Sequence, residues 1–539
     1  MHENRETSGT SRTYRERDRS EKANRRNADR HVPEESEPAI VPMNLSNKGE
    51  LSSAETGEGR ASTRENIAQF NTSPTQSGKR VSQGLSGVRQ AAKERKQERF
   101  TALLHHLSIG LLRDGFYALK REAAPGVDGV RWQEYEDGLE DRLCDLHSRV
   151  LRGAYRAQPS RRVYIPKADG RQRPIGVAAL EDKIVQHAVV TILNNIYEAD
   201  FRGFSYGFRP GRNPHQALDA LSVGLHRKRV NWVLDADIRG FFDQMTHEWI
   251  VKFVEHRVSD PRILRLIRKW LKAGVSEEGQ WSETTIGAAQ GSVISPLLAN
   301  IYLHYVFDLW VEAWRQKVAR GDVIVVRYAD DLVVGFEGRV EAERFLQEFR
   351  DRLAKFGLEL HPEKTRLIQF GRFAALNRKQ RGERKPETFT FLGFTHYCGK
   401  LRSTGAFTVW RETAKKRMAA KLKSIKAELR RRMHSPPALV GAWLRKVILG
   451  YYQYHAVPGN LRQLKIFVRR LRRLWRLVLI RRSQRGNVPW ERLSLLFDRW
   501  FPPPCVLHPH PMHRFDATHP RQKPHAGKPL VRICAGGDQ

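Results

Sequence analysis

Apolar residues Phe100, Leu103, Leu104, Leu107, Leu111 and Leu112 recur at helical spacing, and the pattern stops before Ala124-Pro125-Gly126-Val127-Asp128-Gly129, so order is expected from about residue 95. A second helical stretch covers roughly 135–151. The alternation in Arg161-Arg162-Val163-Tyr164-Ile165-Pro166-Lys167 predicts a strand with cations on one face, and Asp169-Gly170 supplies a hairpin turn. Helix is expected over about 180–197, then a Gly- and Arg-rich loop, another helix to about 227, and a buried strand over 230–238. Ser295 and Pro296 stand where an N-cap and first helical residue belong, ahead of Leu298, Ile301, Tyr302, Tyr305 and Leu309. Two β-branched apolar runs, 323–327 and 332–336, flank Tyr328-Ala329-Asp330-Asp331, which predicts a hairpin with carboxylates at its tip.

From about residue 411 the pattern becomes three basic helices bounded by Ser435-Pro436-Pro437 and Pro458-Gly459-Asn460. In the last, Leu464, Val468, Leu471, Leu474 and Val478 share a face and Arg469, Arg470, Arg472, Arg473 and Arg476 cover the rest. Residues 1–92 carry few large apolar side chains and are expected to be disordered. The division is therefore 1–92, an extension; 93–400, a mixed helix and strand body; 401–485, a helical domain; and 486–539, a short Pro- and His-rich region without a structural reading.

Charge narrows the function. Lys and Arg number 95 against 59 Asp and Glu, a formal net charge of +36, which self-repels unless a polyanion lies against the protein. Nucleic acid is the expected partner. Cys144, Cys398, Cys505 and Cys534 show no paired spacing, which argues against a disulfide framework or a zinc ribbon, and zinc binding by Cys505, His508, His510, His513 and His519 lacks an established spacing. Neither a signal peptide nor a membrane-length apolar run is read, so a cytoplasmic location is expected.

Phosphoryl transfer onto a 3′-hydroxyl requires charge neutralisation at the attacking and leaving oxygens, which two Mg²⁺ ions held by oxygen ligands provide. Asp237, ending the strand Asp235-Ala236-Asp237-Ile238, and Asp330 and Asp331 at the hairpin tip are suited to that task. An Asp-Asp pair alone usually marks a solvated turn; the flanking apolar runs reverse that reading, because buried carboxylates need compensation. Asp235 shares a strand face with Asp237 and stands as an alternative ligand.

The segment Asp237-Ile238-Arg239-Gly240-Phe241-Phe242-Asp243 resembles the reverse transcriptases encoded by bacterial group II introns. So do Arg173-Pro174-Ile175-Gly176, Gly207-Phe208-Arg209-Pro210-Gly211, Gln290-Gly291-Ser292-Val293-Ile294-Ser295-Pro296-Leu297-Leu298, Arg327-Tyr328-Ala329-Asp330-Asp331, His361-Pro362-Glu363-Lys364-Thr365 and Phe391-Leu392-Gly393-Phe394, in the family's order. The resemblance, spanning about 100–480, implies an α+β right-hand polymerase, with fingers, a palm with an antiparallel sheet, and an all-helical thumb or maturase domain. It implies Asp237, Asp330 and Asp331 as catalytic residues, with Ile238 joining them in holding two Mg²⁺ ions.

For the incoming deoxynucleoside triphosphate, Lys167, Arg171 and Arg173 offer cations; the resemblance points to Lys167 and Arg173, and Arg171 is open to template-backbone contact. Phe242 is expected beneath the sugar, excluding a 2′-hydroxyl, with Phe241 packed inward; the reverse assignment stays open. Gln290 is expected to contact template or nucleotide beside Gly291, Lys364 to lie near the leaving pyrophosphate, and 391–394 to resemble a primer-gripping turn. Gly450-Tyr451-Tyr452-Gln453-Tyr454-His455 is either an RNA-stacking surface or core.

The expected function is an RNA-directed DNA polymerase that binds its encoding group II intron RNA, assists splicing, and copies the intron from an RNA template with a DNA primer at target DNA. Alternatives are a maturase acting only by binding RNA, or a reverse transcriptase in a host function such as phage defence. The cysteine pairs of the family's endonuclease are not found, so 486–539 is expected to hold at most a reduced DNA-binding segment and no endonuclease, and mobility is expected to use primers made elsewhere.

Overall fold

The computed structural model describes residues 76–166, 172–401, 403–482 and 489–518. Helix α1 (Gln76–Glu94) opens this part of the chain. Its presence corrects the expectation of disorder up to residue 92: Leu85, Val88 and Ala92 form a sparse stripe among polar residues, all three are buried, and the helix packs on α2 (Leu180–Asp200). Buried Arg257 donates to the carbonyls of Ala92 and Arg95, 3.2 Å each, satisfying acceptors at the end of α1. The cost of ordering a polar segment is thus offset by contacts distant in sequence.

The strands are β1 (Ser160–Pro166), β2 (Gln172–Val177), β3 (Trp232–Ala236), β4 (Val275–Glu277), β5 (Gln280–Ser282), β6 (Val323–Tyr328), β7 (Asp331–Phe336), β8 (Arg366–Gln369), β9 (Phe389–Phe391), β10 (Phe394–Lys400) and β11 (Phe407–Thr413). They form three sheets, ordered β2-β1-β4-β5, β6-β7-β3-β8 and β11-β10-β9. In the first, β1 and β2 make an antiparallel hairpin from Arg161↔Val177 to Pro166↔Gln172. The expected turn at Asp169-Gly170, with Lys167 and Arg171, lies outside the described residues.

The second sheet is antiparallel throughout. Every residue of β6 and β7 is buried, because alternate side chains enter two different cores. Val323, Val325, Leu332, Val334 and Phe336 join the larger cluster, which includes α2. Ile324, Val326, Tyr328 and Val333 join another, with residues of α3 (Pro214–Arg227) and the third sheet. Burial on both faces explains a continuous apolar run where a half-exposed strand would alternate. Following β5, helix α4 (Ser295–Leu303) is capped by Ile294 rather than Ser295, whose hydroxyl donates instead to the Ala289 carbonyl at 3.0 Å.

The expected boundary at residue 400 is also corrected. β11 extends the third sheet to Thr413, in register Phe394↔Thr413 with β10, and the helices start at α5 (Lys415–Arg431), followed by α6 (Pro437–His455) and α7 (Leu461–Ile480). Leu464, Val468, Leu471 and Val478 of α7 are buried together with Phe467 and Trp475, while Arg469, Arg470 and Arg473 stay exposed. Tyr451 and Tyr452 are core: Tyr451 stacks on Phe467 with centroids 3.8 Å apart. Those two rings are therefore closed to RNA stacking.

The Pro- and His-rich region has a structural task. Helix α8 (Trp490–Trp500) packs on α6, and α9 (Pro511–Thr518) packs on α3. Phe515 is buried, Arg227 grips Asp516 through two bonds of 3.0 and 2.8 Å, and Arg514 pairs with buried Asp219. Among the described residues no helix is long and apolar enough to cross a membrane.

Candidate active site

The register of the second sheet assembles the carboxylates. Ala236 pairs with Leu332 and Tyr328 with Asp331, so the next position on β3's line, Asp237, falls opposite Asp331. The β3–β8 register, with Asp235 opposite Arg366, brings Lys364 beside Asp237, and its Nζ lies 3.1 Å from Asp237 Oδ2. Lys364 is 8% exposed, so its ammonium is held in the site and not in solvent. The Asp237 carbonyl accepts from His361 N at 2.8 Å, and neighbouring Ile238 bridges to Leu360. Asp235 has its own partner, Arg366 at 3.6 Å, and burial raises its carboxyl to about 7.

Asp330 is half-buried at the turn and Asp331 is buried. Burial first, then the charges of Asp330, Asp237 and Asp235, holds the Asp331 carboxyl well above the usual carboxylate range. A cation among these oxygens would reverse that penalty, so the donor set fits a hard divalent ion. Among the described residues no group of three or more acidic, His or Cys side chains is arranged to hold a metal ion by itself.

The hairpin tip is held from beneath by residues that sequence reasoning left without a role. Ala329 adopts φ +57°, the left-handed form of a tight two-residue turn. Arg327, fully buried, donates to the Ala329 carbonyl at 3.1 Å and to Asn300 Oδ1 at 2.9 Å, and forms a two-pronged pair with buried Asp308 at 2.7 and 2.6 Å. Asn300, on α4, donates in turn to the Gly207 carbonyl at 2.7 Å. Gly207 lies so close to the Ala329 nitrogen that a Cβ would collide with it. The motifs around Gly207, Asn300 and Arg327 are thus one structural unit, and the signal in the sequence was a lone Arg inside an otherwise apolar strand.

Arg173 Nε donates to Gln290 Oε1 at 2.9 Å, joining β2 to the loop before α4. Its Nη2 is buried with no hydrogen-bond partner among the described residues, a donor suited to an anion. Gly176 N donates to the Gln290 carbonyl at 2.7 Å. Phe241 and Phe242 are each 2% exposed. Phe241 meets Tyr302 edge-on at 6.0 Å, and the Phe242 carbonyl accepts from Ala288 N at 2.9 Å.

The family model for reverse transcriptase (RNA-dependent DNA polymerase) matches residues 165–396. Protein YkfC of Escherichia coli (strain K12) is 36% identical over 275 residues, 45% of this chain and 72% of that protein. The group II intron-encoded protein LtrA of Lactococcus lactis subsp. cremoris is 34% identical over 225 residues, 41% of this chain and 37% of LtrA. A 91 kDa protein in the cob intron of Schizosaccharomyces pombe is 36% identical over 172 residues, 31% of this chain and 21% of that protein. The chain belongs to the reverse transcriptase family, whose domain is that of an RNA-directed DNA polymerase. Within it, the chain is similar to group II intron-encoded proteins, and it spans well under half the length of the intron proteins it matches.

Proposed function

We propose that the protein is an RNA-directed DNA polymerase that binds its encoding group II intron RNA in the cytoplasm, assists its splicing, and copies it into DNA from a primer at target DNA. The N-terminal helices and the β2-β1-β4-β5 sheet act as fingers, the β6-β7-β3-β8 sheet as palm, and α5 to α8 as thumb. The observation that carries this reading is Asp237 opposite Asp331, with Asp330 at the adjoining tip, inside the matched family region.

Asp237, Asp330, Asp331 and the Ile238 main chain would hold two Mg²⁺ ions, which supply an activated 3′-hydroxyl and charge neutralisation when bound. Arg173 and Lys167 bind the triphosphate and Gln290 orients the nascent pair. Lys364 releases Asp237 and turns its ammonium to the leaving pyrophosphate. The exposed arginines of α7 grip intron phosphates.

Two assays test the two halves separately. Primer extension on an RNA template with Mg²⁺ is expected to yield DNA product; none at any salt concentration sinks the polymerase half. Splicing of the flanking intron at low Mg²⁺ is expected to speed up with protein, and an unchanged rate sinks the maturase half. For sugar selection, Phe242→Ala is expected to admit ribonucleotides, with discrimination falling about tenfold or more because a steric exclusion is removed. Unchanged discrimination transfers the gate to Phe241.

A further inference from the structure

The chain between β8 and β9 builds a surface of its own, away from the carboxylates. β3 pairs Trp232 with Gln369, so the chain leaves β8 at the strand end opposite Asp237, about 16 Å off at the rise of a strand. Two contacts fasten its start: a Cβ at Gly371 would collide with the Val230 carbonyl, and Arg372 Nη2 donates to the His226 carbonyl at 3.1 Å. A short helix (Ala374–Gln380) follows, with Ala374 buried. Beyond it Arg378 pairs with Glu383 and Glu387 at 3.2 Å each, and its Nε donates to the Arg384 carbonyl at 3.2 Å. Arg381 reaches Glu383 and Gln369 Oε1, both at 2.6 Å. These bonds hold the loop in one shape, which lowers the ordering cost of binding a partner.

What those pairs leave over points outward. Phe373 and Leu376 are 52% and 56% exposed, and with Lys379 they recur every third residue, which puts them on one face. Lys379, Arg384 and Lys385 are exposed and form no ion pair among the described residues. Over residues 372–388 six Lys and Arg stand against Glu383 and Glu387, and both glutamates are engaged within the loop. The surplus charge calls for a polyanion, and the exposed ring for a flat apolar partner. A nucleic-acid duplex offers phosphates but keeps its bases stacked; the loops and bulges of a folded RNA offer phosphates and unstacked bases together.

We propose that the β8–β9 loop binds an unpaired segment of the intron RNA, with Phe373 stacked on a base and Lys379, Arg384 and Lys385 on the flanking phosphates. This assignment rests on the maturase half of the reading above. Together with the arginines of α7 the loop gives the RNA two footholds on one chain, so that affinity exceeds what either supplies alone. Its place at the far end of β3 and β8 keeps the bound RNA clear of the carboxylates, where template and primer lie.

The test uses the full chain and a transcript of the flanking intron, with binding measured over a range of salt. Lys379→Ala/Arg384→Ala/Lys385→Ala is expected to bind about tenfold or more weakly, with a log–log salt slope shallower by about two, because three phosphate contacts to unpaired RNA are gone. Phe373→Ala should bind about fivefold or more weakly with the slope unchanged, since stacking releases no counterions, and Phe373→Tyr should bind as wild type does. All three variants should extend a DNA primer on a short RNA template at the wild-type rate, which also shows the fold intact. Unchanged intron affinity in the triple variant and in Phe373→Ala overturns the proposal and leaves the exposed face to a protein partner. A matching fall in primer extension overturns it as well, by placing the loop on the polymerase's own substrate. A wild type that binds the intron no tighter than an unrelated RNA of equal length overturns the maturase reading instead, and this inference with it.

Discussion

Replacing Asp330 by alanine is expected to remove primer extension while leaving the fold intact or slightly more stable. The loss should be about a thousandfold or greater, corresponding to roughly 4 kcal/mol of transition-state stabilisation from a metal-binding carboxylate. Stability should move the other way. Asp331 has its carboxyl held above the ordinary range partly by the Asp330 charge. A carboxyl so raised destabilises the folded state once ionised, so at neutral pH removing that neighbouring charge relieves the fold. Asp330 is itself only half-buried, and its truncation opens little space. The measurement is single-turnover extension beside a thermal melt. Equal extension by the two proteins refutes the catalytic assignment, and lost extension with a collapsed melt would make Asp330 a structural residue.

The second large effect is on stability. Arg327→Leu leaves Asp308, 0% exposed, without its guanidinium partner in the core. Removing one member of a buried pair costs about 3–5 kcal/mol because the survivor's charge is uncompensated, whereas replacing both by apolar residues can be close to neutral. Arg327→Leu/Asp308→Leu is therefore expected to regain most of the lost stability in denaturant unfolding. Activity should not return with it. Arg327 also donates to the Ala329 carbonyl and to Asn300, and those bonds set the tip that carries Asp330. Recovery of both stability and extension in the double variant would show that Arg327 matters only as a countercharge.

Much of the site was legible in the chain because its chemistry is local in sequence. The hairpin at 328–331 follows from two β-branched runs around a short polar break, and the ends of the strand at 232–236 and of the hairpin are where carboxylates can meet. Helix α1 was not legible, since three small or medium apolar residues in a polar segment carry too weak a period to be distinguished from a disordered tail. Nor was the place of Tyr451, because an aromatic in a basic helix looks alike whether it faces RNA or Phe467.

The sequence by itself determined the identity of the chemistry: oxygen ligands for hard cations, an excess of positive charge for a polyanion, and apolar periods that form strands and helices whatever surrounds them. Tertiary structure alone decided which charges act together. Lys364 on Asp237, Arg327 on Asp308, and Arg514 on Asp219 are pairings that the fold makes between separate elements. Electrostatic effects in a buried site depend on distance and desolvation rather than on order along the chain, and only the folded sheet and its flanking helices set those.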